Sequence, residues 1–583
     1  MDVAQEPRAG LGPSAHVDTF CRDSLPPAEQ WPDLLFRLPE LTYPDRLNCA
    51  DALLAGPDGD RRCLVWPGGA WTYGQVREQV DAIAHVLVDD LGLVTGNRVL
   101  LRGPNAPWLV ACWLAVVKAG GVAVATMPVL RPGELRSIGG ITRPSLALCD
   151  ARFVDDLAEG LPDLPIVRYG DGDLEGRTGR HRAPFPTVAT SADDVALLAV
   201  TSGTTGVPKT TAHFHRDVLA VADTFSAHVL RPTADDLFLG TPPLAFTYGL
   251  GGELIFPFRA GAATLLIERP APDLLAGAVA EHGVTVLFTA PTAYRAMLSA
   301  GKAPAGLRRC VSAGEPLPRA VSDAFHEATG LRIIDGIGST EMLHIFVSAA
   351  DDDVRPGSTG RPVPGYEAAV LDEHGDPVPD GQPGRLAVRG PTGCRYLADP
   401  RQKSYVQHGW NLTGDTYRRD DDGYFWYVAR SDDMIISAGY NIAGPEVENA
   451  LLSSPDVVEC GVVAKPDPDR GNVVAAYVVL RPGLTGDAAK AAELQELVKR
   501  QIAPYKCPRV IEFLPELPHT PTGKLQRFKL RTLAAGEVAG GAAGGAPGGA
   551  AGGAAGGAAG GAAGGAGGMA GGMAGGAPGG AAG

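Results

Sequence analysis

The chain has 583 residues, a net charge of −15 at neutral pH and 45% apolar residues. At about 100–200 residues per domain this length predicts three or four folding units, and the apolar content excludes wholesale disorder. The acidic balance argues against nucleic acid or an anionic membrane as the main partner, because such binding needs clustered Lys and Arg. Nine scattered Cys without a C-x-x-C pair, and a start unlike a signal peptide, predict a reduced, cytoplasmic protein.

From about residue 61 onward, β-rich runs alternate with helical stretches. The run 99–102 leads into a loop at Pro104-Asn105, an apolar helix over 106–118 and a strand that begins at Val122. This alternation predicts parallel sheets covered by helices, with an α/β fold overall. After about residue 362, turn-rich hairpins separate β-rich runs, which predicts a β-rich subdomain over 362–430 within an N-terminal domain of residues 1–430.

The last part of the chain predicts a small α+β domain over 433–535, followed by a tail. A helix signal over 444–452, two strands and a second helix over 487–502 form the domain. Residues 536–583 contain 24 Gly among 48 residues, nearly all the others being Ala, with no charge after Glu537. Such a tail has almost no side-chain area to bury, so we expect it to be disordered.

One loop has the composition of a phosphate-binding site. It follows the apolar run 195–200 and consists of Thr201, Ser202, Gly203, Thr204, Thr205, Gly206, Val207, Pro208 and Lys209. Its hydroxyls and backbone N–H groups suit a polyphosphate. It is not a Walker A loop, since Pro208 rather than Gly stands before the Lys. The alternative is an ordinary Ser/Thr/Gly surface loop.

Three later motifs each allow two interpretations. Thr340-Glu341 is either the start of a helix with favourable charge or a hard oxygen ligand for Mg²⁺. Asp415 and Arg430 could hold a ribose diol, although each alone is more often a turn or surface residue. Lys524 follows Pro-Thr-Gly near the end of the ordered chain, where a lone Lys is usually a solvated surface charge.

In this order and spacing, the motifs resemble the adenylate-forming superfamily of acyl-CoA synthetases, carrier-protein adenylation domains and luciferases. The resemblance covers about residues 40–535 and includes the gate region 243–249, the adenine strand 312–316 and the hinge 430–432. It implies a large N-terminal domain of two parallel-type sheets with helices and a β-rich subdomain. It also implies that the small C-terminal domain is mobile.

The resemblance further implies ATP, Mg²⁺ and coenzyme A as ligands, with each role carried by a named residue. Lys524, Thr204 and Glu341 would be catalytic, and Glu341 would also be the metal ligand. Asp432 would be the hinge, and Gly439 and Tyr440 would line the CoA tunnel. The residues implied to bind ATP and AMP are Thr201, Ser202, Gly203, Thr205, Gly206, Lys209, Gly314, Glu315, Pro316, Asp335, Thr340, Asp415 and Arg430.

By the same resemblance the reaction has two steps. A carboxylate attacks the α-phosphorus of ATP and pyrophosphate leaves, and a thiol then attacks the acyl-adenylate. Because an anion approaches a polyanion, the first step needs positive charge in line with the transition state. Mg²⁺ held by Glu341, the hydroxyls of Thr204 and Thr205, and Lys524 would supply it. Rotation of the C-terminal domain would then remove Lys524 to admit the thiol.

One departure from the family pattern narrows the branch. Members often have a Tyr at the position of Ile337 and an Asn at the position of Asp335. Asp335 would still be available to the adenine amino group. The segment 335–346 resembles benzoate-type CoA ligases, and the segments 14–20 and 31–36 resemble 2-aminobenzoate–CoA ligases. The implied acid pocket lies between the gate and a Thr-Glu helix, with walls from Phe246, Thr247, Tyr248, Ala313, Gly338, His344 and Ile345.

These residues describe a flat, short slot for one aromatic ring. The alternative is that His344 and Ile345 only pack in the core. Two other functions stay open: an enzyme that loads an aryl acid onto a carrier protein, and a non-catalytic binder of acyl-adenylates. The expected partners are an aryl acid, ATP and CoA, with neither nucleic acid nor membrane; the oligomeric state is open, a homodimer being one arrangement.

Overall fold

The computed structural model describes residues 11–201, 208–268, 272–430, 433–437, 440–467, 471–502, 504–519 and 524–536. Of residues 272, 273, 436, 440, 441 and 471 only the backbone is described. All of these residues lie in one compact unit, Met1–Glu537. The predictions for Ser202, Gly203, Thr204, Thr205, Gly206, Asp432, Gly439 and the tail from Glu537 fall outside the described residues, as does the side chain of Tyr440.

A six-stranded sheet forms the first layer. Its strands are parallel except for the last pair, and their order across the sheet is Ile166–Tyr169, Leu146–Asp150, Arg98–Arg102, Val122–Thr126, Val195–Thr201 and Lys209–Phe214. Side chains of its central strands are buried almost throughout, as a sheet covered on both faces requires.

The segment 98–126 shows how the sequence builds this layer. The helix Pro107–Lys118 begins with Pro at a position where no hydrogen-bonded N–H is needed, and all but one of its residues are buried. Gly120 follows the end of the helix, and its φ of +73° lets the chain turn back sharply. The strand Val122–Thr126 then pairs in parallel with Arg98–Arg102, which confirms the predicted strand–helix–strand order.

A nine-stranded sheet forms the second layer and carries most of the site. Its order is Arg361–Pro362, Ile345–Ser348, Ile334–Gly338, Arg309–Ala313, Val286–Thr289, Leu237–Gly240, Ala263–Leu265, Arg62–Trp66 and Gly69–Thr72. The pairs from Ile334–Gly338 to Arg62–Trp66 are parallel, and the flanking pairs are antiparallel. The parallel strands therefore end at one edge, where the loops that follow them meet.

The remaining strands form three smaller sheets. The strands Glu367–Leu371, Pro383–Arg389, Trp410–Arg419, Val406–Gln407 and Phe425–Arg430 form an antiparallel five-stranded sheet. Met434–Ser437 pairs with Tyr440–Ala443. The three-stranded sheet consists of Val457–Asp467, Gly471–Leu480 and Val510–Phe513, and a separate apolar cluster lies around it.

The helices connect these strands and cover the sheets. They are Phe20–Asp23, Cys49–Leu54, Tyr73–His85, Pro107–Lys118, Pro132–Thr142, Val154–Gly160, Asp173–Thr178, His215–Val221, Thr247–Leu250, Phe256–Ala260, Pro272–His282, Pro291–Ser299, Arg319–Thr329, Gln402–Tyr405, Gly444–Leu452, Ala488–Gln501 and Arg527–Ala534. Single π-helical segments occupy Val86–Asp90, Ala222–Leu230 and Gly251–Ile255. Among the described helices, none combines the length and apolar character that crossing a lipid bilayer requires.

The prediction that Thr340-Glu341 opens a helix is wrong. The two residues lie in a turn between Ile334–Gly338 and Ile345–Ser348, where the backbone N–H of Leu343 donates to the carbonyl of Thr340 at 3.2 Å. The next strand pairs antiparallel with the one before it, so the chain must reverse within six residues and has no room for a helix. Leu343 adopts a φ of +69° to complete this reversal.

Candidate functional site

The two ends of the predicted phosphate loop are fixed by a pair of strands. Thr201 is the last residue of one strand and lies opposite Lys209, the first residue of the next. Lys209 Nζ lies 3.3 Å from Tyr396 Oη and 5.0 Å from the centre of its ring. The lysine at the end of the loop is therefore held by a buried phenol.

Tyr396 also joins the loop to the Thr-Glu turn. Its hydroxyl donates a short hydrogen bond to Oε1 of the buried Glu341. Burial, followed by the negative charge of Glu341, raises the pKa of the Tyr396 phenol. The turn itself is anchored at two further points: His213 Nε2 contacts the Thr340 carbonyl at 2.8 Å, and Ser339 Oγ lies 3.2 Å from Tyr405 Oη. The arrangement presents a fixed carboxylate and a cation at one place.

The strands Arg309–Ala313 and Ile334–Gly338 lie side by side and bring two predicted nucleotide segments together. Ser312 pairs with Asp335 and Ala313 pairs with Gly336 in register. Burial raises the pKa of the Asp335 carboxyl to about 7, while the backbone of Gly336 and the side chain of Ser312 lower it by less. Asp335 is therefore an acceptor or a donor of hydrogen bonds, depending on a proton that exchanges near neutral pH.

Lys524 lies at the end of the strand Arg309–Ala313, far from its position in the sequence. A methyl group on Gly314 would lie 3.6 Å from Lys524 Cε and 3.9 Å from Nζ. The side chain of Lys524 keeps access to solvent. The protein that surrounds its amine nevertheless removes part of the hydration and lowers the pKa, and the negative charges of Glu315 and Asp415 partly oppose this lowering. The amine of Lys524 thus lies within the electrostatic influence of the carboxyls of Glu315 and Asp415.

The predicted ribose-binding pair is also assembled. Arg430 NH1 lies 3.3 Å from Asp415 Oδ1, and the two residues are opposite each other on neighbouring strands. Burial raises the pKa of the Asp415 carboxyl, opposed mainly by the charge of Arg430. Burial likewise raises the pKa of the Glu315 carboxyl, opposed mainly by Lys524. The carboxyls of Asp415 and Glu315 and the cations Arg430 and Lys524 therefore share one electrostatic environment.

Four of the seven predicted pocket residues adjoin one another. The ring centres of Tyr248 and His344 are 5.6 Å apart, and Gly338 pairs with Ile345 beside His344. The side chains of Thr247 and Ala313 are buried on the gate and on the neighbouring strand, and Gly338 is exposed. Among the described residues Phe246 makes no ring contact. The side chain of Ile345 packs against Gly336.

His344 is enclosed by aromatic rings that the sequence did not reveal. Its ring centre lies 4.5 Å from Phe256, 5.4 Å from Phe225 and 6.3 Å from Phe288. Burial lowers the pKa of the His344 imidazole to about 3, so the ring is neutral at physiological pH. A methyl group on Gly251, two residues after the gate, would lie 2.3 Å from the Cδ2 atom of His344, so only glycine fits at that position.

A buried pair of side chains holds the gate in place. Asn105 Nδ2 donates to both carboxyl oxygens of Glu253 at 2.9 Å and to the Pro242 carbonyl at 3.0 Å, and its Oδ1 accepts from the N–H of Leu244 at 2.8 Å. Burial raises the pKa of the fully buried Glu253 well above its ordinary value. Glu253 lies in the π-helical segment Gly251–Ile255 that follows the gate helix, a form frequent at functional sites.

Comparisons with known proteins show the family of this chain. Residues 54–396 match the AMP-binding enzyme family, and residues 446–524 match the C-terminal domain of AMP-binding enzymes. The benzoate–CoA ligase of Thauera aromatica is 35% identical over 517 residues, which cover 85% of this chain and 97% of that protein.

Two solved structures show the same architecture. The anthranilate CoA ligase AuaEII, in complex with anthranoyl-AMP, is 33% identical with a TM-score of 0.82, over 85% of this chain and 99% of that one. A benzoate CoA ligase from Burkholderia xenovorans LB400 is 32% identical with a TM-score of 0.77, over 83% of this chain and all of that one. The chain therefore belongs to the AMP-binding enzyme family, in which it is an AMP-forming acid–CoA ligase.

Proposed function

We propose that this chain activates an aryl carboxylic acid of the benzoate type, with 2-aminobenzoate favoured, and transfers it to coenzyme A. The observation that carries this proposal is the aromatic cluster beside the gate, where the rings of Tyr248 and the neutral His344 lie with their centres 5.6 Å apart. An acid pocket with walls from such rings would favour a flat ring over a flexible alkyl chain. A relative whose structure contains anthranoyl-AMP, the adenylate of 2-aminobenzoate, supports the same class.

The first half-reaction depends on charge placed around the phosphates. Lys524 would contact the acid carboxylate and the α-phosphate, and its position against Gly314 brings it to the predicted nucleotide site. The hydroxyls of Thr204 and Thr205, with Lys209, would hold the other phosphates, and Asp415 and Arg430 the ribose. Asp335 would accept a hydrogen bond from the adenine amino group. The substrate carboxylate is already ionised, so no general base is needed.

A divalent metal fits the Thr-Glu turn. The hydrogen bond from Tyr396 uses only Oε1 of Glu341, and a carboxylate is the hard oxygen ligand that Mg²⁺ prefers. When bound with ATP, Mg²⁺ would neutralise phosphate charge. The chain's own contribution is to hold Glu341 in one orientation through Tyr396, which Lys209 in turn contacts at 3.3 Å.

The second half-reaction needs a path for the thiol. We propose that rotation about Asp432 moves the C-terminal domain, residues 433–535, and takes Lys524 away from Gly314. Gly439 and Tyr440 would then line the tunnel for pantetheine, since a side chain at Gly439 would fill a narrow channel. This proposal also places the enzyme in the cytoplasm, where ATP and CoA are available.

Thr247 is the residue that would distinguish 2-aminobenzoate from benzoate. It is buried at the start of the gate helix Thr247–Leu250, next to Tyr248. A hydrogen bond between its hydroxyl and an ortho-amino group contributes about 0.5–1.5 kcal/mol, or roughly 2- to 13-fold in kcat/KM. Thr247→Ala should therefore reduce the preference for 2-aminobenzoate over benzoate by that factor, chiefly by lowering kcat/KM for 2-aminobenzoate. Thr247→Ser, which keeps the hydroxyl, should keep the preference.

The test measures pyrophosphate release and thioester formation with benzoate, 2-aminobenzoate, octanoate and acetate, each with and without CoA. Thioester formation from free CoA supports the proposal, and adenylate that accumulates unless a carrier protein is added would support the loading enzyme instead. Absence of pyrophosphate release with every acid would indicate a non-catalytic binder. A preference for octanoate or acetate over the aryl acids would overturn the pocket assignment whatever Thr247 does.

A further inference from the structure

Three metal-ligating side chains converge away from the nucleotide and acid sites. His85 is the last residue of the helix Tyr73–His85, Asp89 lies in the π-helical segment Val86–Asp90 that continues it, and His181 follows the helix Asp173–Thr178. One ligand atom from each residue lies within 4.8 Å of the other two. None of the three residues has a part in the reaction described above.

The spacing suits a single ion. His85 Nδ1 lies 2.7 Å from Asp89 Oδ2, and the His85 and His181 rings are nearly parallel with centres 5.3 Å apart. Two imidazoles on one tetrahedral zinc ion, with Zn–N bonds of about 2.0–2.1 Å, have ring centres about 5 Å apart. The separation of the ring centres therefore matches a shared ion, and the stacked His181 ring would have to turn so that the planes of both rings contain that ion.

Each imidazole has one ring nitrogen that forms no hydrogen bond with the described residues. In the part of the chain that the structure describes, the buried Nε2 atoms of His85 and His181 have no hydrogen-bond partner. His181 Nε2 lies 3.3 Å from Asp90 Oδ1, near enough for an ion pair but not aligned for a hydrogen bond. Phe185 packs its ring edge against His85 at 5.0 Å, which fixes the imidazole plane. Buried polar nitrogens are normally satisfied. An ion shared with Asp89 would bind His85 through Nδ1, which faces that carboxylate, and would satisfy His181 through Nε2.

We propose that His85, Asp89 and His181 form a structural site for a borderline divalent cation such as Zn²⁺. Two imidazoles and one carboxylate suit Zn²⁺ or Co²⁺, whereas Mg²⁺ and Ca²⁺ prefer oxygen ligands alone. Water or Asp90 would complete the coordination; Asp90 Oδ2 also receives a hydrogen bond from Arg180 at 2.8 Å. The ion ties the end of one helix to the segment that follows another.

Cobalt provides a direct test, because Co²⁺ bound by nitrogen and oxygen ligands absorbs visible light. The purified full-length protein is stripped with a chelator, titrated with Co²⁺ in the absence of nucleotide, and then titrated with Zn²⁺. We expect one Co²⁺ per chain with a visible band that Zn²⁺ abolishes, and a higher melting temperature with Zn²⁺. His85→Ala, His181→Ala and Asp89→Asn should each weaken Co²⁺ binding by at least about 10-fold.

His228→Ala is the matched control. His228 forms a surface ion pair with Glu40, again a histidine beside a carboxylate but with no second histidine in the described chain close enough to share a metal. This variant should bind Co²⁺ like the unchanged protein. Circular dichroism of each variant shows whether it is folded, and Asp89→Asn, which keeps both rings, serves if an alanine variant fails to fold. Binding that is absent, or that survives His181→Ala in a folded protein, overturns the site.

Discussion

Replacing Asp335 with asparagine tests whether burial makes this carboxyl titrate near neutral pH. The pKa of Asp335 rises from 3.8 to about 7 in the folded protein, chiefly through burial. A carboxyl whose folded pKa is raised contributes stability below its unfolded pKa, and that contribution is lost as the pH rises through about 7. The loss corresponds to at most about 4 kcal/mol, and Asp335→Asn removes it because asparagine does not titrate.

The expected shift in melting temperature follows from the size of the protein. Unfolding entropy of about 2.1 cal/mol/K per residue gives roughly 1.1 kcal/mol/K for the unit that ends at Glu537. The melting temperature of Asp335→Asn minus that of the unchanged protein should therefore increase by up to about 4 °C between pH 4 and pH 8. The measurement is a series of thermal melts in buffers of constant ionic strength, spaced by half a pH unit.

Asp236→Asn is the control of opposite sign. Burial raises the pKa of the Asp236 carboxyl, but hydrogen bonds from Arg308, Thr233 and Thr285 outweigh burial and lower it. Its contribution to stability is present above the unfolded pKa of 3.8 and is lost in acid. The deficit of this variant should therefore stay nearly constant from pH 4 to pH 8 and shrink only in melts below pH 4. A flat difference for Asp335→Asn from pH 4 to pH 8 would refute the burial argument.

The other predictions concern the reaction itself. Lys524→Ala should lose about 10²–10³-fold in adenylate formation, measured as pyrophosphate release, and should still form thioester from supplied acyl-adenylate and CoA; an equal loss in both assays contradicts a lysine that serves only the first step. Asn105→Ala should leave buried polar groups unsatisfied, at about 1–3 kcal/mol each, and should lower kcat/KM for the acid more than for ATP. Glu253→Gln should change kcat/KM very little, because the raised pKa of Glu253 already leaves that carboxyl uncharged. A Gln variant as impaired as Asn105→Ala would show that Asn105 does not simply hydrogen-bond an uncharged carboxyl.

The sequence predicted what is encoded locally. The helix Gly444–Leu452 and the strand–helix–strand segment 98–126 have the predicted positions, because apolar periodicity and flanking Pro and Gly specify them within a few residues. The Thr-Glu turn was predicted as a helix because its first residues resemble a helix start. Only its antiparallel pairing partner, which local sequence does not reveal, excludes the helix.

The contacts that sequence reasoning missed join residues far apart in the chain. Tyr396 and Glu341 are separated by 55 positions, and Asn105 and Glu253 by 148. Neither Tyr396 nor Asn105 stands in a motif whose spacing indicates a role, so their functions depend on which elements pack together. The aromatic rings around His344 come from three separate segments for the same reason.

The uncharged state of His344 has a consequence for how a substrate enters. With a pKa lowered to about 3, the imidazole gives an anion no compensating positive charge between pH 5 and pH 9. If an aromatic acid entered with its carboxylate first, the carboxylate would lose its hydration without meeting a positive charge at His344. If the same acid entered with its ring first, the carboxylate would remain on the side of Lys524. In the acid pocket that we propose, the neutral imidazole would therefore favour entry ring first and disfavour aromatic diacids, whose second carboxylate would have to lie among the rings.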